Sequence, residues 1–177
     1  MSEDGAVAEL VRRHVRDVPD FPTPGVVFKD IAPLLADGPA FAAVIADLAD
    51  RYRGRVDAVV GIEARGFMLA APVAVALGVG FMPVRKAGKL PGPVWGAEYD
   101  LEYGSATIEV QRDAFQSGRR VLVLDDVLAT GGTAEATCEL VERAGAEVVE
   151  VAVLMELSFL RGRSRLPGRA LHALLTI

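Results

Sequence analysis

Apolar residues recur along the chain with two different periods, and the alternation between them sketches a fold. Val7, Leu10, Val11 and Val15 fall at helical spacing within 5–16. The stretch 39–52 is amphipathic, with Pro39 suited to a first helical turn. The short apolar run VDAVVGI (56–62) predicts a buried strand. It leads into a predicted helix from Arg65 to Leu77 and a second strand over 79–84. SATIEV (105–110) alternates as a strand does, and RRVLVLDD (119–126) is the most apolar strand. A helix over about 133–144 ends at Gly145, 146–157 predicts another strand, and a short strand near His172–Thr176 follows.

Strands alternating with helices predict an α/β fold around a parallel sheet. Continuous apolar runs fit strands covered on both faces. Two stretches break the pattern. Residues 20–25 (DFPTPG) hold two prolines and a glycine, which predicts irregular chain. Residues 85–104 lack sustained periodicity, and a loop of that length in a compact domain is usually functional or disordered. The expected organisation is one domain over 1–177, with an N-terminal segment (1–36) and a long flexible loop (85–104).

Composition narrows the class. Of 177 residues, 51% are hydrophobic and 24% charged, an ordinary globular balance. The net charge of -5 argues against a nucleic-acid partner but permits a local basic site for a small anion. The single cysteine, Cys138, allows no internal disulfide and suits a reducing compartment. The start, Met1 to Asp4, is acidic rather than secretory in character. No segment reads as a bilayer span, which needs roughly 20 apolar residues. A cytoplasmic protein without membrane association is expected.

The chemistry concentrates in VLVLDDVLATGGT (121–133). Ligands of open parallel sheets bind beyond the carboxyl ends of the strands, where Asp125 and Asp126 are expected. If the strand ends there, both turn toward the crevice. Paired carboxylates in that place accept hydrogen bonds from vicinal hydroxyls or sit near a hydrated Mg²⁺. Behind them, Ala129, Thr130, Gly131, Gly132 and Thr133 open a helix. Its backbone N–H groups, dipole and threonine hydroxyls make an anion site that the glycines keep open. The lysine of a nucleotide-triphosphate loop is missing. Together these features predict a ribose-5-phosphate site. The structural alternative is a glycine-rich turn whose acids favour a helix N-terminus.

Other candidates carry the same double reading. Phe28 offers an aromatic face in FPTPGVVFKD, or packs as a core phenylalanine under a loop. Arg65 opens a helix against its dipole, which points to an anion partner or to a nearby acid such as Glu63. Arg85, Lys86 and Lys89 cluster at a strand end, as an anion site or a solvated charge run. Glu102 ends the long loop, as an exposed acid or as a carboxylate that enters the site on closure. Trp95 caps a closed site or merely covers the loop. His14 and His172 lack partner spacing and read as structural or surface residues, and Cys138 reads as packed.

The string around the aspartates resembles the phosphoribosyl-pyrophosphate signature of type I phosphoribosyltransferases. The resemblance implies a five-stranded parallel sheet flanked by helices, with a flexible hood. It also implies that Asp125 and Asp126 bind ribose hydroxyls while residues 129–133 bind the 5-phosphate. DFPTPGVVFKDI (20–31), GIEARGF (61–67) and RKAGKLPG…YDLEYG (85–104) are together similar to the adenine phosphoribosyltransferases. That similarity implies transfer of phosphoribose from 5-phosphoribosyl 1-pyrophosphate to adenine, giving AMP and pyrophosphate. Val27, Phe28 and Lys29 then bracket adenine, with Phe28 stacked on the ring. The family often has arginine in place of Lys29, so the contact there is through the backbone or through a different cation. Arg65, Arg85, Lys86 and Lys89 bind pyrophosphate, Arg85 across a homodimer interface, and Glu102 exchanges a proton with the purine. The resemblance further implies a cis Glu63–Ala64 bond and Mg²⁺ held mainly by substrate and water rather than by a protein metal site. Two rivals stand beside this reading: a phosphoribosyltransferase for another purine such as xanthine, and a non-catalytic regulator that binds phosphoribosyl pyrophosphate.

Overall fold

The computed structural model describes residues 3–100 and 105–177. The helices are α1 (Glu3–His14), α2 (Ala32–Ala36), α3 (Gly38–Tyr52), α4 (Arg65–Leu77) and α5 (Gly132–Arg143). The strands are β1 (Arg16–Pro19), β2 (Val27–Asp30), β3 (Ala58–Ile62), β4 (Gly80–Lys86), β5 (Val94–Asp100), β6 (Ser105–Gln111), β7 (Arg120–Leu128), β8 (Glu147–Glu156) and β9 (Leu171–Thr176). Every element expected from the sequence is present, with ends displaced by two residues at most.

The main sheet runs β5-β6-β4-β3-β7-β8-β9. Five of these strands, β4 to β9 through β3, β7 and β8, are parallel, while β5 and β6 add an antiparallel hairpin at the β4 edge. The sheet therefore has seven strands rather than the expected five. Of the two added strands, β6 matches the alternation of 105–110, and β5 falls within the stretch 85–104 that lacks sustained periodicity. Val94–Asp100 pairs along its length with β6, and Trp95, Ala97 and Tyr99 pack inward while Gly96 and Glu98 are exposed. Its outer face carries Gly96 and Glu98, which hides the period of two among polar neighbours. In the N-terminal segment residues 20–25 are irregular, as expected. Prolines occupy 20–25, yet the flanks pair as a two-stranded antiparallel ribbon that sets Phe28 opposite Val18.

Two apolar layers cover the sheet. Val44, Leu48, Tyr52, Leu69 and Val73 of α3 and α4 pack on Leu122, Leu124 and Leu154. Cys138, Leu140 and Val141 of α5 pack on Val60, Val84, Val121 and Val123 from the other side. Burial on both faces explains the continuous apolar runs in the parallel strands. No helix among the described residues is long and apolar enough to cross a membrane.

The start of α4 approaches β7 so closely that only glycine fits. A Cβ on Gly66 would lie 2.8 Å from Asp125 Oδ1 and 2.9 Å from the Leu124 carbonyl oxygen. Helix propensity alone favours alanine over glycine there by about 1 kcal/mol. Overpacking against backbone costs about 1–3 kcal/mol and opposes it. Gly66→Ala is therefore expected to destabilise the protein in urea unfolding; a variant more stable than the parent contradicts the close approach.

Candidate functional site

The site is assembled at the carboxyl edge of the parallel strands, around Asp125 and Asp126. β7 does not stop at the pair but continues to Leu128, so the expected strand end is displaced by two residues. The two aspartates occupy a slip in the strand's alternation. Leu122 and Leu124 face the α3/α4 layer and Val121 and Val123 the α5 layer, yet beyond the pair Val127 joins the first and Leu128 the second. At this slip, rather than at a strand end, Asp125 lines a cavity while Asp126 turns to Arg65.

Each acid has its own neighbours. Asp125 Oδ1 accepts from the Asp126 backbone N–H at 2.8 Å, and its carboxyl lines a small cavity with residues 127–131, Thr133, Ala134 and Val153. Asp126 is 4% exposed and its Oδ2 lies 2.9 Å from Arg65 Nε. Burial pushes the Asp125 carboxyl well above the usual carboxylate range, and the charge of Asp126 pushes it further. Burial raises Asp126 too, against the opposing pull of Arg65. Two adjacent carboxylates with a single guanidinium are poised to receive external donors such as hydroxyls.

Arg65 ties the acids to the N-terminal ribbon. Its Nη1 donates to the Lys29 carbonyl at 3.0 Å, and its guanidinium carbon sits 4.6 Å from the centre of the Phe28 ring. One side chain thus joins the candidate base and sugar segments. The acid that Arg65 pairs with is Asp126; Glu63 is taken by Arg85, whose Nε and Nη2 reach it at 3.3 and 3.1 Å. Those bonds, with the Lys86 backbone N–H, hold the Glu63 carboxyl below its ordinary range. The Glu63–Ala64 bond joining these two pairs is cis, as expected.

The remaining candidates are placed unevenly. Phe28 meets Phe21 edge-on at 5.0 Å, and Val27 is half exposed. Lys29 turns its amine to Asp17 at 2.7 Å, so its carbonyl and not its side chain faces Arg65. Lys86 and Lys89 are exposed, and Arg85 also donates to the Lys89 carbonyl. Residues 129–133 wrap from β7 into α5. Gly131, at φ +88°, precedes the first helical residue, Gly132, and both glycines are buried while Thr130 is exposed. None of the N–H groups of 130–133 donates in a turn, cap or side-chain bond among the described residues. Glu102, the expected proton-exchanging acid, lies outside the described residues.

Other features find structural roles. Trp95 packs under Arg112 and Arg143, whose guanidinium carbons lie 4.3 and 5.6 Å from its ring, so it covers the sheet rather than capping the crevice. His14 bonds to the Leu10 carbonyl and to Asp37. Cys138 is buried, and burial pushes its thiol up to about 11. A cleft of about 530 Å³ lies at the opposite, amino-terminal edge of the sheet, but its Asp57 is committed to Arg120 at 2.8 Å. Two glycines that position the site escaped the sequence reading. Gly66 sits inside GIEARGF without a signal of its own, and Gly162, in a polar connector, carries no periodic or charge signal.

The raised carboxyls make a stability prediction with a definite sign. Below about pH 3 Asp125 is protonated both folded and unfolded; as pH rises, only the unfolded chain ionises freely, so folded stability falls until the native group also ionises. Asp125→Asn removes that penalty. The variant's melting temperature relative to the parent, measured without ligand from pH 4 to pH 8, is expected to be lowest at the acid end and to rise steadily above it. An advantage that does not grow with pH contradicts the assignment.

Comparison with known proteins agrees with this architecture. The phosphoribosyl transferase domain family matches residues 34–170, which include the acid pair and the 129–133 turn but not Val27–Lys29. The adenine phosphoribosyltransferase of Salinispora tropica is 64% identical over 172 residues, covering 96% of this chain and 91% of that protein. The crystal structure of adenine phosphoribosyltransferase from Thermoanaerobacter pseudethanolicus superposes with a TM-score of 0.93 at 46% identity, covering 96% of this chain and 99% of that one. The Saccharomyces cerevisiae enzyme, complexed with adenine and an imino-altritol bisphosphate, gives 0.90 at 39% identity, with 96% and 99% coverage. The chain belongs to the phosphoribosyl transferase family and, within it, to the adenine phosphoribosyltransferases.

Proposed function

We propose that this crevice transfers the 5-phosphoribosyl group from phosphoribosyl pyrophosphate to adenine, releasing AMP and pyrophosphate in purine salvage. The observation that carries the reading is the convergence on Arg65 of Asp126, at 2.9 Å, and Phe28, at 4.6 Å. A sugar-binding acid pair and an aromatic base platform within one side chain's reach suit a nucleotide. The yeast enzyme's complex with adenine supports the choice of base.

In this reading Asp125 and Asp126 accept hydrogen bonds from the ribose hydroxyls, and residues 129–133 cradle the 5-phosphate through N–H groups and the α5 dipole. Phe28 stacks on adenine, flanked by Val27, while the Lys29 backbone reads the base edge. Arg65 leaves Asp126 and Phe28 when substrates arrive and, with Arg85, Lys86 and Lys89, offsets the charge of departing pyrophosphate. Bond cleavage at the anomeric carbon passes through an oxocarbenium-like state, as in glycoside chemistry. Glu102 is the candidate for proton exchange with the purine, on its sequence position alone.

Mg²⁺ fits the same site as a companion of the substrate. Asp125 and Asp126 are hard oxygen donors that would hold the hydrated ion through water, where it supplies further charge neutralisation at the pyrophosphate. A homodimer is also proposed. No charged residue interrupts the chain between Arg65 and Arg85, and α4 exposes Met68 at 46% and Val75 at 81%. A second copy of the chain would cover that face.

The direct test offers adenine, hypoxanthine, guanine and xanthine in parallel, with phosphoribosyl pyrophosphate, with and without Mg²⁺. AMP from adenine alone, lost when the metal is chelated, is the expected outcome. Nucleotide from xanthine instead moves the chain to the rival purine reading, and binding without any turnover moves it to the regulator.

A further inference from the structure

The turn at residues 129–133 is held from behind by the segment that follows β8. Leu157 N–H donates to the Leu128 carbonyl at 2.9 Å, just before the turn. At its far end Arg165 reaches Glu135, in the first turn of α5, at 3.4 Å. Between these two ties, Gly162 and the turn meet backbone to backbone. A Cβ on Gly162 would strike the Ala129 carbonyl oxygen and lie 3.0 Å from the Gly131 nitrogen. Reciprocally, a Cβ on Gly131 would strike the Gly162 carbonyl oxygen and lie 3.1 Å from its Cα. The segment is itself fixed: Arg163 grips the buried Glu156 through Nε and Nη2 at 3.1 and 2.6 Å.

We propose that Gly162 is a positioning residue for the phosphate-binding turn, its missing side chain setting where the Ala129 carbonyl and the Gly131 N–H stand. The proposal rests on reading 129–133 as the 5-phosphate cradle. A cradle built from N–H groups works only when those groups share one focus, and backbone pressed against backbone leaves the focus no slack. Gly162 is absent from the lining of the cavity that Asp125 shares with the turn, so its effect passes through Ala129 and Gly131.

The test is steady-state kinetics on Gly162→Ala, Arg163→Gln and Thr130→Val, each also assayed for inhibition by ribose 5-phosphate. Gly162→Ala is expected to raise KM for phosphoribosyl pyrophosphate and the ribose 5-phosphate inhibition constant by roughly 10-fold or more, since displacements on the order of 1 Å are that costly. The KM for adenine stays within about twofold, a split that general loss of stability does not produce. Arg163→Gln loosens the segment without adding a clash, and a smaller rise in the same two constants is expected. It decides the matter alone should Gly162→Ala fail to fold. Unchanged constants, or an equal rise for adenine, overturn the role of Gly162. Thr130→Val separates the two levels. If it weakens phosphate binding while the other variants do not, only the role of Gly162 falls; if none of the three has an effect, the cradle itself falls.

Discussion

Two adjacent carboxylates on one strand, sharing a single arginine, are the constraint around which the remainder of the structure is arranged. Desolvating Asp125 and Asp126 raises both carboxyls, and Arg65 relieves only part of the cost. A polypeptide selected for stability alone would place apolar residues there. The surrounding structure keeps the pair in place. Gly66 lets the α4 N-terminus come within contact of Asp125; β3 pairs with β7 up to Leu124, and β8 carries the pairing on past the slip to Leu128. In the proposed function, ligand hydroxyls and metal-bound water would complete the site and offset that local cost.

Arg65 also explains how separate regions act as one site. It reaches the β2 backbone at Lys29, the Phe28 ring and the β7 acid at once. The arginine lies over the Phe28 ring; in the proposed function adenine takes that face, and release of Arg65 would couple occupancy of the base and pyrophosphate positions. Arg85 is similarly engaged, by Glu63. Arg65 and Arg85 are thus each held by an internal carboxylate; in the proposed function a stronger anion competes for them.

The sequence carried much of this because the parallel strands are buried on both faces and the helices have one apolar side. VLVLDDVLATGGT displayed its chemistry openly, since adjacent acids after an apolar run have few purely structural explanations. What escaped was information held in contacts rather than in periods. Strand Val94–Asp100 hid its alternation behind Gly96 and Glu98. Arg65 could be read as paired to Glu63 or to an anion, and only the fold brought Asp126 to it. Gly162 lies 31 residues beyond Gly131 in number, and its importance comes solely from the two backbones meeting. Val27–Lys29 lies outside the stretch matched by the shared family domain, which fits a common sugar-phosphate site joined to a separate base-recognition ribbon.

The central claim is that one crevice at the carboxyl edge of β3 and β7 binds ribose by the acid pair and the 5-phosphate by the turn behind it. A crystal structure with AMP bound tests this most directly. The account predicts both ribose hydroxyls within hydrogen-bonding distance of Asp125 and Asp126, the phosphate enclosed by the N–H groups of 130–133, and adenine stacked on Phe28 with Arg65 withdrawn. AMP seated with its phosphate on Arg85 and Lys86, or in the cleft at the opposite edge of the sheet, would contradict it.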